Sequence, residues 1–471
     1  MSLATLNADV LTEIVSLLST KEAFRLSLTN KQVNTVAMQR VYRIIDLKWP
    51  RHVKQMCRVL LQEPAKRLVF VRELRISSIA LEGANNATVA RIVELLSHPF
   101  SAHIQRLTLG CIERLLEEHP SCADAVAALP ALTQLELGDA YESSLAMIER
   151  LTSKPRRLAL QFDLPFLEGD SIPTLFSEAS GTPTEISESS TTSHEMTMHH
   201  PLPDPRLQWF SLHHLFLKKC NLPMSVFVLA FPNVKRICLR QVTSSLPSKN
   251  NGVCWPRLDC LDMGDVTYRH PWKVTCPVRH LVLGISRAVG SPKSALSLVK
   301  MTMPIVLELE TSLKLSTRFW DKLARVGKRL RYLIIVLKKA DTVSSSGDYA
   351  QNLNHWKSQL PAFMSKLNVS CIRICYPSSL PVAQDILEDV PQILMRSIPS
   401  LCYVALDRHH SSERSIWYEG QYDGYQSEST WWRITRIGTR DWEGLARMTT
   451  ELGEKIDAHM KSDEVESSLP C

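Results

Sequence analysis

The octapeptide LTQLELGD, residues 132–139, places leucines at Leu132, Leu135 and Leu137, that is, at relative positions 0, 3 and 5. A helical face needs spacings of three and four residues throughout, whereas the spacing of two between Leu135 and Leu137 is that of a strand with one buried side. The stretch therefore predicts a short strand whose leucines point inward together.

The same apolar rhythm recurs along most of the chain. A unit with one apolar edge needs a neighbour to cover that edge, so this repetition predicts stacked units that form a parallel sheet. The matching positions are Tyr42, Ile45, Leu47; Val71, Leu74, Ile76; Ile104, Leu107, Leu109; Leu158, Leu160; Leu212, Leu215, Leu217; Val234, Ile237, Leu239; Leu258, Leu261, Met263; Val278, Leu281, Leu283; Leu307, Leu309; Leu330, Leu333, Ile335; Val369, Ile372, Ile374; and Leu401, Val404, Leu406.

Segments between these strands have the apolar periodicity of amphipathic helices, for example ATVARIVELLSHPF (residues 87–100) and STRFWDKLARVGKR (residues 316–329). Helix and strand therefore alternate, which predicts an α/β fold. The pattern resembles the irregular leucine-rich repeats found behind fungal F-boxes, although most units lack the usual asparagine after the strand. The resemblance implies a horseshoe-shaped solenoid with the parallel sheet on its concave face. A doubly wound sheet is the alternative.

Three short helices are expected before the first repeat. LNADVLTEIVSLL (residues 6–18) has helical spacing with Asn7 as its cap, Ser19 and Glu22 form a capping box for a second helix, and a third runs from Gln32 to about Arg43. Such a unit is too small to bury all its apolar side chains. It should need the next domain or an outside partner.

The stretch of residues 4–47 resembles an F-box, with an opening leucine, a D-V-L-x-E-I core, a polar break and two further helices. Asn7 stands where that family usually has proline, and Val33 near a position where many members have tryptophan. The resemblance implies docking on a Skp-type adaptor of a cullin-RING ubiquitin ligase; the alternative is a helical cap that packs on the next domain. The implied adaptor-binding residues are Leu6, Val10, Leu11, Ile14, Leu17, Leu18, Ala23, Leu26 and Leu28.

In a horseshoe, residues beside the inward positions face the concave surface. In the middle repeats these positions are basic or bulky, which predicts a basic stripe with apolar spots, Val282 and Ile334 among them. We expect this stripe to bind an acidic or phosphorylated target segment, with arginines as forked donors; a solvated sheet face is the alternative. The candidate target-binding residues are Arg157, His214, Phe216, Lys218, Arg236, Arg240, His280 and Val282.

Two segments depart from the repeats. Residues 168–205 are rich in Ser, Thr, Pro and acidic residues and contain no Lys or Arg, which predicts a disordered insertion. An aromatic group consists of Trp417, Tyr418, Tyr422, Tyr425, Trp431 and Trp432. We expect WWRITRI (residues 431–437) and a helix formed by DWEGLARMTTELGEKI (residues 441–456) to cover the last repeat, with target contact as the alternative.

These patterns give a domain plan. It comprises an F-box-like domain (1–47), repeats (48–167), the insertion (168–205), further repeats (206–407), a C-terminal cap made of a hairpin plus helix (408–460) and a disordered tail (461–471). The N-terminal residues lack the features of a signal peptide, and no apolar run is long enough to span a membrane. Scattered cysteines without CxxC pairs predict a reducing, cytosolic or nuclear, location.

The charge of +7 comes from 55 basic and 48 acidic residues, and we expect neither nucleic acid nor membrane as partner. The chain lacks phosphate-loop, dinucleotide-turn, HExxH and GxSxG motifs, so no metal, cofactor or catalytic residue is expected.

The predicted function is that of a non-catalytic substrate receptor of a ubiquitin ligase. The alternatives are a repeat scaffold outside any ligase and, with no supporting motif, a hydrolase using C-terminal His and Cys residues.

Overall fold

A computed structural model describes residues 6–162, 208–220, 224–242, 254–264, 274–285, 292–311, 313, 315–338, 346–378, 382–409, 428–436, 443–462 and 464–465. They fall into two compact units, Met1–Val234 and Lys235–Cys471. The predicted insertion, the aromatic residues from Trp417 to Tyr425 and residues 466–471 of the predicted tail (461–471) lie outside the described residues, whereas residues 461, 462, 464 and 465 of that tail are described.

The first unit alternates helices with short parallel strands, as its sequence predicts. Strands β1 to β6 pair in chain order, and 3-10 turns at Pro64–Lys66, Leu68–Phe70 and Pro99–His103 lead toward β2 and β3. The elements are α1 (Ala8–Ser16), α2 (Thr20–Ser27), α3 (Lys31–Arg43), β1 (Ile44–Leu47), α4 (Pro50–Gln62), β2 (Glu73–Ile76), α5 (Ser78–Glu82), α6 (Asn86–Ser97), β3 (Arg106–Leu109), α7 (Ile112–Glu118), α8 (Pro120–Ala127), β4 (Gln134–Leu137), α9 (Glu142–Glu149), β5 (Arg157–Gln161), β6 (His214–Lys218) and α10 (Met224–Ala230).

The second unit continues the alternation and ends differently. Strands β7 to β13 are parallel and pair in chain order, whereas β14 and β15 add antiparallel strands beyond β13. The elements are β7 (Arg236–Arg240), β8 (Leu258–Asp262), β9 (Val278–Ile285), α11 (Pro292–Thr302), β10 (Val306–Thr311), α12 (Thr317–Val326), β11 (Tyr332–Leu337), α13 (Ser346–Met364), β12 (Cys371–Pro377), α14 (Val382–Leu387), α15 (Val390–Ser397), β13 (Tyr403–His409), β14 (Glu428–Arg436), β15 (Glu443–Met448) and α16 (Thr450–Lys461).

The repeated apolar positions are direct neighbours across the sheets. Leu135 of β4 pairs with Leu107 on one side and Leu158 on the other, and Leu137 is in line with Leu109 and Leu160. In the second unit Leu333 pairs with Leu307 and Ile372. Because these leucines and isoleucines are all buried, each unit has a continuous apolar layer on one side of its sheet, here called the leucine face. The opposite side is called the second face.

A left-handed residue ends several repeats at the same place. Cys111, Asp139, Lys219 and Gln241 have φ angles of 46°, 53°, 53° and 54°, and each stands two residues after the last apolar position of its strand phrase. A left-handed residue turns the chain sharply out of its strand and is unfavourable for most side chains. The turn is therefore a repeated structural feature, although its residue type varies.

The C-terminal segment differs from its prediction. Residues Glu443–Met448, expected to open a helix, form β15 and pair with β14, and helix α16 begins only at Thr450. The composition of these residues favours a helix. They form a strand instead because their backbone groups pair with those of β14. The WWRITRI segment forms most of β14 and covers the edge of β13, as expected of a cap.

Candidate functional site

Within the first unit, helices α1 to α3 form a small three-helix unit with its own core. Leu11 and Val15 from α1 meet Ala23 from α2 and Val33 and Ala37 from α3, and all five are buried. The Asn34 amide donates to the Ser27 carbonyl at 2.9 Å, and Arg40 Nε donates to the Leu18 carbonyl at 3.2 Å. The three helices are therefore held together by packing and by hydrogen bonds from α3 to α2 and to the segment that follows α1.

The ends of these helices are fixed by the caps that the sequence predicts. The Asn7 side chain accepts from the backbone N–H of Asp9, and Ser19 and Glu22 form a reciprocal capping box, in which the Ser19 backbone N–H donates to Glu22 at 2.8 Å. Asn7 is thus a helix cap at the position where an F-box usually has proline. Val33, the other departure, is 1% exposed and belongs to the core rather than to a docking surface.

Four large apolar side chains of this unit are left uncovered. The exposed fractions are 47% for Val10, 82% for Leu17, 48% for Phe24 and 71% for Leu28. Val10 and Leu17 are seven residues apart and Phe24 and Leu28 four apart, so each pair lies on one side of its helical segment. Uncovered apolar groups of this size in a short segment are typical of a protein-binding surface.

The predicted adaptor-binding residues divide into three groups. Val10, Leu17 and Leu28 are exposed, Leu6, Ile14, Leu18 and Leu26 are half-buried, and Leu11 and Ala23 are buried in the helical core. The last two hold the unit together and do not contribute to its surface. Phe24 is exposed but was missed by the sequence prediction, although its spacing of four from Leu28 was a usable signal.

The second face of the first unit is polar and carries both signs of charge. Glu73 is paired with Arg75 and lies 3.6 Å from Arg106, and the Thr108 hydroxyl donates to Glu136 at 3.1 Å. Burial raises the pKa of Glu136, against hydrogen bonds from Gln134 and Thr108 that lower it. The sequence analysis did not single out these acidic residues, which lie on earlier strands than the predicted basic stripe.

The basic part of this face lies on β5 and β6. Arg157 is in register with His214, Ala159 with Phe216, and Gln161 with Lys218. All four predicted residues, Arg157, His214, Phe216 and Lys218, are partly exposed. The structure therefore brings them together on two adjacent strands, with His214 and Lys218 on either side of Phe216 along β6 and Arg157 beside His214 on β5.

In the second unit Arg240 is not available as a forked donor to a target. Its Nη1 and Nη2 atoms donate to Oδ1 and Oδ2 of Asp262, both at 2.7 Å, and the residue is only 5% exposed. A bidentate arginine–carboxylate pair of this kind uses the guanidinium fork completely. Arg236, four residues earlier on the same strand, is exposed. The expectation is thus corrected for Arg240 and stays a prediction for Arg236.

The remaining candidates of the second unit are also covered. Val282 is 5% exposed and Ile334 is 3% exposed, so neither supplies the surface apolar group that the sequence predicts. His280 is half-buried, and its Nε2 atom lies 3.6 Å from Oε2 of Glu308. Most of these second-face residues are therefore buried. Ile334 is covered by helix α16.

Helix α16 covers this second face. Met460 of the helix and Val465 beyond it join one buried cluster with Tyr332, Ile334 and Val336 of β11. The same cluster contains side chains from four neighbouring strands. Alternation along β11 sends Leu333 and Ile335 to the leucine face, so the sheet carries α16 on the side opposite its leucines. The remaining members are Ile305, Val306, Cys371, Cys375, Ala405 and Trp431.

A buried polar network holds α16 in place. Asp457 accepts from the Tyr332 hydroxyl at 2.5 Å and from Arg373 Nη1 at 3.0 Å, and its own helix supplies Lys461 at 2.8 Å. Burial alone would raise the pKa of Asp457, but the charges of Lys461 and Arg373 and the hydrogen bonds to the carboxylate bring that pKa below its ordinary value. Asp457 is therefore ionised at neutral pH.

The strand side of this network is fixed independently of the helix. Arg373 also pairs with Asp407 of β13, which in turn accepts from the Ser429 hydroxyl of β14 at 3.2 Å. The Arg373 guanidinium lies 6.0 Å from the centroid of the Trp431 ring. The cation is thus positioned by the sheet, and its Nη1 atom donates to Asp457 of α16.

The buried thiols do not have the chemistry of nucleophiles. Burial raises the pKa of Cys57 and of Cys122 to about 12, and that of Cys276 to about 11. A thiol nucleophile needs a lowered pKa and a neighbouring base. Cys371 and Cys375 also have pKa values raised by burial. Among the described residues, no three His, Cys, Asp or Glu side chains are grouped closely enough to hold a metal ion.

Comparison of the chain with protein-family models finds no match, and comparison with curated proteins finds no significant match. In the described part of the chain, every helix is too short or too polar to cross a membrane.

Proposed function

We propose that this protein is the substrate-recognition subunit of an SCF-type (Skp, cullin, F-box) ubiquitin ligase. In this proposal α1 to α3 are the F-box that binds a Skp-type adaptor, and the repeats after them form a leucine-rich-repeat solenoid with its sheet on the concave face. The protein contributes proximity rather than chemistry, because it holds a target within reach of ubiquitin transfer. It would act in the cytosol or nucleus.

The observation that supports adaptor binding most directly is the exposure of Val10, Leu17, Phe24 and Leu28. The three helices already have a core of five buried residues and a side-chain cap at each of their three N-termini. A cap that served only the next domain would have its large apolar residues covered by that domain. These four side chains instead face solvent. Burial by a partner would contribute up to about 1.5–3 kcal/mol for Leu17 or Leu28, and about half of that for Val10 or Phe24, which are already half-buried.

Purified adaptor and the full chain test this half of the proposal. We expect the wild-type chain to bind the adaptor in a pulldown and by calorimetry, and the double variant Leu17→Asp/Leu28→Asp to lose binding at least about a hundredfold, the equivalent of two 1.4 kcal/mol steps. The matched control is Gln32→Asp/Thr35→Asp, which places two carboxylates at exposed polar positions of α3. Absence of wild-type binding would reject ligase membership and favour the repeat scaffold.

For the target we propose an acidic or phosphorylated segment that binds the second face of the first unit. His214 and Lys218 stand on either side of Phe216 along β6, Arg157 is beside His214 on β5, and all four are partly exposed. An aromatic residue close to a guanidinium and an ammonium group offers both apolar contact and charge-assisted hydrogen bonds. Arg236 remains a candidate in the second unit, and Arg240 is no longer one.

Target capture tests this surface separately. A protein that co-purifies with the wild-type chain should be lost with Arg157→Glu/Lys218→Glu and retained with Lys54→Glu/Arg58→Glu, which makes the same charge change on exposed positions of α4. Equal loss in both variants would show only a general charge effect. Retention in both would reject this face as the binding site.

A further inference from the structure

Helix α16 buries few of its own side chains. Of its twelve residues only Gly453 and Met460 are buried, whereas α6, also of twelve residues, buries Thr88, Val89, Ile92, Leu95 and Leu96. Leu452 of α16 is exposed. Elements with few buried side chains open at lower free energy than the body of a fold. Helix α16 should therefore detach before the strands beneath it separate.

The position of α16 in the chain allows this detachment. Strand β15 is the last strand of its unit and pairs only with β14 among the described strands, and α16 follows it after Thr449. Among the described residues, the polar links from the helix to the rest of the unit include those of Asp457, the Lys461 carbonyl bonded to Arg279, and the Thr450 hydroxyl at 3.4 Å from the Ser429 carbonyl. Its release breaks none of the strand pairing.

The docked side of α16 has a simple pattern. Gly453, Asp457 and Met460 stand at positions i, i+4 and i+7, which face the same way on a helix. Met460 fills the apolar cluster, Asp457 meets Tyr332 and Arg373, and Gly453 lies directly over Trp431. A Cβ atom at position 453 would be 2.2 Å from two atoms of the Trp431 ring, so only a glycine allows this close crossing.

The surface beneath α16 combines an apolar strip with a buried cation, which fixes the position of a bound helix more than it stabilises the fold. A buried ion pair contributes little net stability compared with apolar packing, but it fixes the register of what binds there. Arg373 keeps its position through Asp407 when α16 leaves, since that pair is entirely within the sheet. An apolar strip with one pre-positioned cation is a surface matched to an amphipathic helix that carries one carboxylate.

We propose that the second face of the second unit, from β10 to β14, is a binding site for an amphipathic helix of a partner protein, which α16 occupies until that helix displaces it. The partner helix would carry a small residue, a carboxylate and a methionine-sized apolar residue at the spacing of Gly453, Asp457 and Met460. This inference rests on contacts within the second unit and holds with or without ligase membership.

The test uses the full chain and a fluorescent peptide of residues 449–465 as the probe. In the wild-type chain the tethered α16 competes at an effective concentration near the millimolar range, so the peptide should bind weakly. The variant Gly453→Ala expels α16 through the clash with Trp431 while leaving every charge unchanged. We expect it to bind the wild-type peptide at least about tenfold more tightly than the wild-type chain does.

Two controls define the result. Glu454→Ala introduces the same residue one position later, on the exposed side of α16, and should leave peptide binding as weak as in the wild-type chain. A peptide with Asp457→Lys should fail to bind the Gly453→Ala chain, because its cation would meet Arg373. If the opened chain binds both peptides equally or neither of them, the face is not a helix-binding site.

Hydrogen exchange on the wild-type chain gives an outcome that does not depend on any variant. Backbone amides of α16 should exchange at least about tenfold faster than those of β11 and β12, because the helix opens while the sheet stays intact. Equal protection of α16 and these strands would identify the helix as a permanent layer and overturn the proposal. Adaptor binding takes no part in either experiment, so its failure leaves this result unaffected.

Discussion

Arg240 and Asp262 form a bidentate ion pair across β7 and β8, in which Nη1 and Nη2 of the arginine each lie 2.7 Å from one carboxylate oxygen. The Arg240 side chain is 6% exposed and that of Asp262 is 16% exposed. The Asp262 carboxylate also accepts from the backbone N–H of Gly264 at 3.0 Å. This arginine therefore joins neighbouring repeats of the second unit.

The first prediction is that Arg240→Ala destabilises the protein by about 3 kcal/mol, because it leaves the Asp262 carboxylate without its partner in a mostly buried position. Arg236→Ala, an exposed arginine of the same strand, should change stability by no more than about 0.5 kcal/mol. Urea denaturation monitored by circular dichroism measures both. Similar effects of the two substitutions would show that the pair adds little to the fold.

These two arginines show that the sequence predicts strand register but not which side chains pair with each other. The phrases VKRICLRQV and LDCLDMGD align their apolar positions, which is the observed register, with Ile237 beside Leu261 and Cys238 beside Asp262. That alignment follows from the fixed period of a strand. Whether Arg240 turns toward solvent or back to Asp262 depends on side-chain conformation and local burial, which strand periodicity does not determine.

The C-terminal helix shows a second limit. Its capping role was expected, but its place on the second face was not, since the Asp457 partners Tyr332 and Arg373 are 125 and 84 residues away in the chain. Local pattern carries no information about contacts at that distance. The helix itself was detectable, whereas β15 was assigned to it because Leu445, Ala446 and Arg447 favour helices when no strand partner is considered.

The second prediction concerns a buried carboxylate of the first unit. Glu113 of α7 accepts from the backbone N–H groups of Tyr141 and Ser144 at 2.8 and 3.1 Å and from the Ser144 hydroxyl at 2.7 Å. It thereby satisfies the first amides of α9, where a negative charge is also favoured by the helix dipole. Glu113→Ala should lower stability by about 2–3 kcal/mol, since buried donors lose their acceptor.

Glu117→Ala is the matched control for Glu113, because Glu117 is an exposed glutamate of the same helix. Thermal unfolding should show a clear decrease in the midpoint for Glu113→Ala and almost none for Glu117→Ala. A Glu113→Gln variant should be intermediate, since its amide oxygen still accepts one of these hydrogen bonds without the charge. Equal midpoints for all variants would contradict a capping role.

The third prediction is an acid-sensitive attachment of α16. The pKa of Asp457 is lowered from its ordinary value of 3.8, so the ionised carboxylate stabilises the folded state above that value and loses this contribution as pH falls through the lower folded-state pKa. The facing groups are Tyr332 on β11, Arg373 on β12 and Lys461 on α16. Burial keeps Tyr332 protonated because it raises the pKa of that phenol.

A comparison of the wild-type chain with Asp457→Asn isolates this effect from general acid denaturation. The difference between their melting temperatures should be constant from pH 7 to about pH 4.5, where an ordinary aspartate is still mostly ionised, and should shrink below that. Glu451→Gln, which alters an exposed carboxylate of the same helix, should show no such trend. A difference that stays constant down to pH 3 would remove Asp457 from the attachment.

The fourth prediction separates the core of the N-terminal helices from their surface. Leu11→Ala removes a side chain that is 3% exposed and should destabilise α1 to α3 by about 2–5 kcal/mol. Leu17→Ala removes one that is 82% exposed and should cost no more than about 0.5 kcal/mol. Hydrogen exchange of the α3 amides reports this unit locally: exchange should accelerate strongly in Leu11→Ala and remain unchanged in Leu17→Ala. Accelerated exchange in Leu17→Ala would mean that Leu17 is covered within the protein in solution, and a residue used for internal packing would no longer support an adaptor-binding surface.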